Sequence, residues 1–116
     1  MKTRHTDTDS SETEISEHQL YEAIVAIRDI DEAKRFFEDL CTPTERQSMA
    51  DRWRVVPLIE QGIPYRTIHE QTGVSVTTIG RVARCLTQGE GGYNLIHDRL
   101  KRKNRVKDNS KNNDDK

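Results

Sequence analysis

The stretch from Gly62 to Leu86, GIPYRTIHEQTGVSVTTIGRVARCL, constrains this chain more tightly than any other, because two short helical patterns meet there around a single glycine. A sharp turn between crossed helices needs a residue that enters positive φ without steric cost, and Gly73, within Thr72-Gly73-Val74, stands where that turn would fall. Ile68 before the turn, Val74 in it, and Ile79 and Val82 after it form one apolar stripe, so the second helix can press on the first and leave its other face free. Ser75 is the expected N-cap of that second helix, with Val76, Thr77 and Thr78 opening it. The free face then carries Val76, Thr77, Gly80, Arg81 and Arg84, with Ser75 at its start, residues that can bond base edges, meet phosphate or permit close approach. The pattern predicts a helix-turn-helix over 62–86 whose second helix reads DNA. Two amphipathic helices joined at a glycine also occur as ordinary bundle corners; the arginines after Gly73 favour the reader.

Composition sets the rest of the frame. Of 116 residues, 32% are hydrophobic and 34% charged, which leaves a thin core and makes a homodimer the expected stable form. The net charge of −1 hides an asymmetry. Between Glu17 and Leu40 seven acidic residues face three basic ones, whereas from Gly62 to Leu86 only Glu70 opposes Arg66, Arg81 and Arg84, and Lys101 to Lys107 holds five basic residues and no acid. No apolar run approaches the roughly 18 residues a membrane span needs, and no hydrophobic signal core opens the chain, so a soluble, cytoplasmic protein is expected. Cys41 and Cys85 form no C-x-x-C pair and read as two buried free thiols. His5, His18, His69 and His97 are scattered, without a metal spacing or a paired acid and base, so neither a metal site nor an enzyme is expected.

Taken in order, residues 1–15 are polar and aperiodic and read as a disordered tail. Ser16 is the expected cap of a helix carrying Leu20, Ile24 and Ile27, and Asp31 opens the next, with Ala33, Phe36, Phe37 and Leu40 as its apolar wedge. Thr42-Pro43-Thr44-Glu45 predicts a capping box with proline at the first helical position. The helix that follows carries Met49, Trp53, Val56 and Ile59, and Pro57 predicts a kink or break between Val56 and Leu58. Arg46, Asp51, Arg52 and Arg54 alternate with these; blandly they are a solvated face, and functionally Arg52 and Arg54 would reach phosphates beside the groove. Residues 87–92 read as a glycine hinge, Tyr93 to Leu100 as a short closing helix, and 101–116 as a disordered basic tail that touches nucleic acid weakly. One helical domain is thus expected over 16–100.

With these pieces in place the chain resembles the Trp repressor superfamily, and within it the YerC/YecD group of TrpR-like bacterial proteins. The resemblance spans Leu20 to Leu100 and rests on RFFEDLCTPTE (Arg35 to Glu45), Gly62-x-x-Tyr65, TGVSVTTIGRVARCL (Thr72 to Leu86) and GEGGY (Gly89 to Tyr93). It implies an all-α fold, an intertwined homodimer, and transcriptional regulation, by repression, through a near-palindromic operator in double-stranded DNA. It places a base-contacting arginine at Arg66, with Tyr65 beside it, groove-facing positions at Val76, Thr77 and Gly80, ligand-and-phosphate arginines at Arg52 and Arg81, and a pocket threonine at Thr78. The family's tryptophan pocket is altered here. Val82 stands where a Trp repressor has glycine against the indole ring, and Cys85 replaces the serine that meets the ligand amine. Extra carbon over a ring slot and a lost hydroxyl acceptor each cost at least ~1 kcal/mol, so no cofactor is expected, L-tryptophan included, and any other small-molecule effector is unspecified. The rival expectation is a helical protein-interaction module with no DNA function, which accounts for the acidic N-terminal helices but not for the arginines after Gly73.

Overall fold

The structure, a computed structural model, describes residues 6–114, with side chains described over 10–107. Six helices and no strand make up the described residues: α1 Thr6–Val25, α2 Ile30–Leu40, α3 Pro43–Glu60, α4 Tyr65–Thr72, α5 Val76–Gln88 and α6 Gly92–Asp114. None is long and apolar enough to cross a membrane. The chain divides into two units, Met1–Arg46 and Gln47–Lys116, with the boundary inside α3.

In the first unit, α1 begins well before Ser16. Residues 6–15 contain no glycine or proline, and extending a formed helix costs far less than nucleating one, so the polar segment continues the helix instead of forming a tail. Residues 1–5 lie outside the described residues. α2 starts at Ile30, one residue before the expected opening at Asp31, and Asp29 caps it: its carboxylate accepts from the Glu32 N–H at 2.8 Å, and the Glu32 carboxylate accepts from the Arg28 N–H at 2.9 Å. Phe36 and Phe37 are half-buried and meet edge to face at 5.6 Å, and α2 has no fully buried residue.

The capping box at Thr42 forms as expected. Thr42 N–H donates to Glu45 Oε1 at 2.8 Å and Glu45 N–H to Thr42 Oγ1 at 3.2 Å. The Thr42 N–H, and secondarily its hydroxyl, hold the Glu45 carboxyl below its ordinary value. The box therefore stabilises α3 fully above the unfolded-state pKa of a glutamate and loses that contribution as pH falls through the depressed value. Arg46 closes this corner by donating to the Cys41 carbonyl at 2.9 Å.

In the second unit α3 runs through Pro57 without the expected break. Pro57 lacks the N–H that would bond to the Trp53 carbonyl, a cost of about 3 kcal/mol, and the wholly buried Val55 and Val56 beside it offset that by about 1.5–3 kcal/mol each. The helix ends near Gly62, as the sequence predicts. Gly62 N–H bonds the Ile59 carbonyl at 2.9 Å and Ile63 N–H the Leu58 carbonyl at 3.2 Å, a Schellman end in which Leu58 and Ile63 both pack on the core. That core is Val55, Val56, Ile68, Val74, Ile79 and Val82, drawn from α3, α4, the turn and α5. Val55 was not expected there.

The segment expected as a hinge is shorter than residues 87–92, because α5 extends to Gln88. Gly89 ends it: its N–H bonds the Cys85 carbonyl at 2.9 Å, and a Cβ at this position would lie 2.5 Å from that oxygen. The closing helix is far longer than expected, with α6 continuing through the basic run to Asp114 in place of a disordered tail, since nothing from Tyr93 to Asp114 is glycine or proline. Its start is tied to α3. Trp53 stacks on Tyr93 at 6.2 Å and meets the His97 ring at 6.4 Å, and His97 Nε2 lies 2.8 Å from Glu60 Oε2 with its side chain only 14% exposed. Both cysteines are half-buried free thiols, not fully buried ones.

Candidate nucleic-acid interface

The turn between α4 and α5 is held by more than its glycine. Gly73 adopts φ +78° and donates to the His69 carbonyl at 2.8 Å, ending α4 in the left-handed conformation the sequence demanded. The Thr72 hydroxyl donates to the Ile68 carbonyl at 2.7 Å and accepts from the Val74 N–H at 3.1 Å. His69 Nδ1 lies 2.8 Å from the Val74 carbonyl; a carbonyl only accepts, so this nitrogen carries the hydrogen. From α3, Arg54 Nη1 donates to the Thr72 carbonyl at 3.3 Å. Val74 itself is buried beneath these bonds, so the turn is anchored from the core and from both flanking helices.

Ser75 then starts α5. Its Oγ accepts from the Thr78 N–H at 3.1 Å and its hydroxyl donates to Thr78 Oγ1 at 3.0 Å. With the cap in place Ile79 and Val82 fall inward, both wholly buried, and the opposite face turns to solvent. Ser75, Val76, Thr77, Arg81 and Arg84 are exposed, and Gly80 is partly covered between them. Within α4, Tyr65 and Arg66 are exposed as well, the Arg66 side chain to 91%. Glu70 lies beside it, with Nε to Oε1 at 3.8 Å across one helical turn, and at that exposure the pair holds Arg66 only loosely.

The expected site residues thus separate by place. Tyr65, Arg66, Ser75, Val76, Thr77, Arg81 and Arg84 are exposed on the two helices of the motif; Arg52 is half-buried on α3, and Arg54, though exposed, already serves the turn. The residues marked for a ligand pocket stand in different surroundings. Val82 lies in the core, Thr78 is engaged by the cap, Cys85 is half-buried and Arg81 exposed. A cleft of about 580 Å³ opens on the other side of α5, lined among others by Ile59, Glu60, Tyr65, Gly80, Arg84 and Asn94, and by none of Arg52, Thr78, Arg81, Val82 and Cys85. Sequence reasoning missed His69 as a turn residue and the Glu60–His97 pair altogether. His69 had a signal, since it lies one helical turn before Gly73; the Glu60–His97 pair had none. Among the described residues no group of three or more His, Cys, Asp or Glu side chains could hold a metal ion.

Comparison with known proteins agrees with this geometry. A family model described as Trp repressor protein matches residues 16–101. YerC of Bacillus subtilis (strain 168), an uncharacterized protein, is 43% identical over 83 residues, which is 72% of this chain and 80% of YerC. Among solved structures, a candidate Trp repressor from Staphylococcus aureus is 39% identical, with a TM-score of 0.72, over 75% of this chain and 87% of that one. A TrpR-like protein from Eubacterium eligens ATCC 27750 is 42% identical, with a TM-score of 0.68, over 72% of this chain and 86% of that one.

Proposed function

Because the chain belongs to the Trp repressor family, within its TrpR-like YerC group, we propose that it is a sequence-specific DNA-binding transcriptional regulator, a repressor that holds a near-palindromic operator as a homodimer. The observation that carries this reading is the exposed row Ser75, Val76, Thr77, Arg81 and Arg84 on a helix that follows a turn held by five hydrogen bonds, with Arg66 exposed beside it. Arginine bonds guanine edges and threonine bonds bases or phosphates, and no acid on α5 opposes them. A gel-shift with random duplex DNA, repeated at raised salt, tests the reading. Binding that collapses with salt supports it, and no binding at low salt favours a protein-interaction module.

The dimer is supported by the first unit. Every fully buried hydrophobic residue of the described chain lies in the second unit, while Val25 and Ile30 are 82% and 88% exposed and Leu20, Ile24 and Ile27 are only half-buried. Apolar helix faces left this open need a second surface, and a second copy supplies it. Sedimentation equilibrium at low micromolar concentration should find only dimer; a folded, cooperative monomer there would sink the assignment. Two recognition helices in a dimer would meet successive major grooves about 34 Å apart.

No tryptophan corepressor belongs to this proposal. Val82 occupies the ring slot that the family resemblance assigns to glycine, and its side chain is wholly buried among Val55, Val56 and Ile79. L-Tryptophan at millimolar concentration is expected to leave DNA affinity unchanged by gel-shift and to give no calorimetric signal. A tenfold tightening, about 1.4 kcal/mol, would show that a pocket survives.

A further inference from the structure

The cleft of about 580 Å³ beside α5 is lined by side chains of both charge signs whose bonding is incomplete. Glu60 enters it from α3. Its Oε2 lies 2.8 Å from His97 Nε2, its side chain is only 27% exposed, and among the described residues Oε1 has no hydrogen-bond or ion-pair partner. Arg84 enters from α5, a helix without an acidic residue, and its guanidinium likewise has no partner among the described residues. The Tyr65 hydroxyl is the third such group, and Ile59, Ala83 and Leu86, all half-buried, supply apolar surface. Apolar walls with a few polar groups, in a volume inside the usual range of roughly 300–1,000 Å³, are what a small-molecule site is made of.

The charges select the ligand. A net anion would meet the Glu60 carboxylate and a net cation the Arg84 guanidinium, and such repulsion grows where water is partly excluded. A zwitterion satisfies both. Because Glu60 stands on α3 and Arg84 on α5, the ligand must carry its two charges apart, with apolar atoms between them. A single α-amino acid, tryptophan included, has both charges on one carbon and serves only one wall. A chain of two or three residues holds them up to about 7–10 Å apart. We propose that the cleft is a binding site for a short apolar peptide of two or three residues, its ammonium on Glu60 Oε1 and its carboxylate on Arg84. Resting on the DNA-binding reading above, the site is also a control point: Arg84 belongs to the exposed row of α5, so a carboxylate seated on it removes a cation from the DNA face, and peptide and DNA oppose each other.

The test is calorimetry on the full-length protein with L-leucyl-L-leucine, which should bind saturably with a dissociation constant on the order of 0.1–1 mM. N-Acetyl-leucyl-leucine lacks the ammonium and leucyl-leucinamide the carboxylate, and each should bind at least about tenfold more weakly. Two substitutions place the peptide. Glu60→Gln keeps an oxygen beside His97 but loses the charge, and Ala83→Leu fills the cleft from α5; each should lower peptide affinity at least about tenfold, and if one variant fails to fold the other decides. No saturable binding of leucyl-leucine, equal binding of both capped analogues, or undiminished binding by the folded variants overturns the inference. In a gel-shift on the selected duplex, saturating peptide should weaken wild-type binding roughly tenfold. A duplex affinity that saturating peptide leaves unchanged overturns the control role. Peptide binding by a protein that holds no duplex at low salt upholds the site and overturns the DNA-binding reading, the control role with it.

Discussion

Ile79→Ala is expected to destabilise the second unit by about 2–5 kcal/mol, a large share of the roughly 5–15 kcal/mol that a folded protein has in total. Ile79 is wholly buried in a core that holds, among the described residues, six buried side chains drawn from α3, α4, the turn and α5. Truncation removes three carbons and leaves a void that a small core has few neighbours to fill. Urea denaturation measures the effect, with Val76→Ala as its control. Val76 is half exposed on the same helix, and its loss should change stability by no more than about 0.5 kcal/mol. Because the recognition face exists only while α5 is docked, DNA binding by Ile79→Ala should fall with the folded fraction. A cost below about 1 kcal/mol would mean that something other than this core holds the motif together.

The second large effect separates reading from holding. Arg66 is 91% exposed and loosely paired, so its guanidinium is free to make two parallel bonds to a guanine, an interaction worth about 1–3 kcal/mol of discrimination. Arg66→Ala should therefore flatten the preference at one base position in each half-site. Truncation after Leu100 should act differently. It removes Lys101, Arg102, Lys103, Arg105 and Lys107, which weakens binding to every duplex by a similar factor. Since α6 is helical through this run, the five cations point around its axis: Lys101 and Arg105 lie on one side with Arg102 near them, and Lys103 and Lys107 on another. A straight helix can turn only two or three of them to one strand. With two or three cations lost from each protomer of the dimer, the plot of log affinity against log salt should accordingly become shallower by about 4–5, at roughly 0.9 for each phosphate that is no longer neutralised. A change of about 9 would mean that the segment unwinds on DNA and lays all five cations of each protomer on phosphates. If Arg66→Ala weakens selected and scrambled duplexes equally, Arg66 is only a phosphate clamp.

Features that were legible in the sequence depend on residues a few positions apart. The Thr42–Glu45 capping box, the Ser75 cap and the left-handed Gly73 are local hydrogen-bond and φ preferences, and each forms where its residues stand. The apolar stripe Ile68, Val74, Ile79 and Val82 is equally local, because the helical repeat alone puts those positions on facing sides. Where local signals compete, the sequence misleads. Asp29 and Asp31 both suit a helix start, and α2 is capped by Asp29 and begins at Ile30 where an opening at Asp31 was expected; residues 6–15 and 101–114 look disordered by composition, yet they lack any glycine or proline that would stop a helix already formed beside them.

By itself, then, the sequence determined the helix-turn-helix, the exposed face of its second helix and the family to which the chain belongs, since spacing of about 3.6 residues and the special conformations of glycine and the capping residues act without reference to distant parts of the chain. Only the tertiary structure decided what α3 does for the motif. It carries Pro57 unbroken because Val55 and Val56 are packed, it sends Arg54 to the Thr72 carbonyl, and it holds α6 through Trp53 on Tyr93 and Glu60 beside His97. These are contacts between surfaces far apart along the chain, and no periodicity encodes which side chain will stand opposite another once helices have docked.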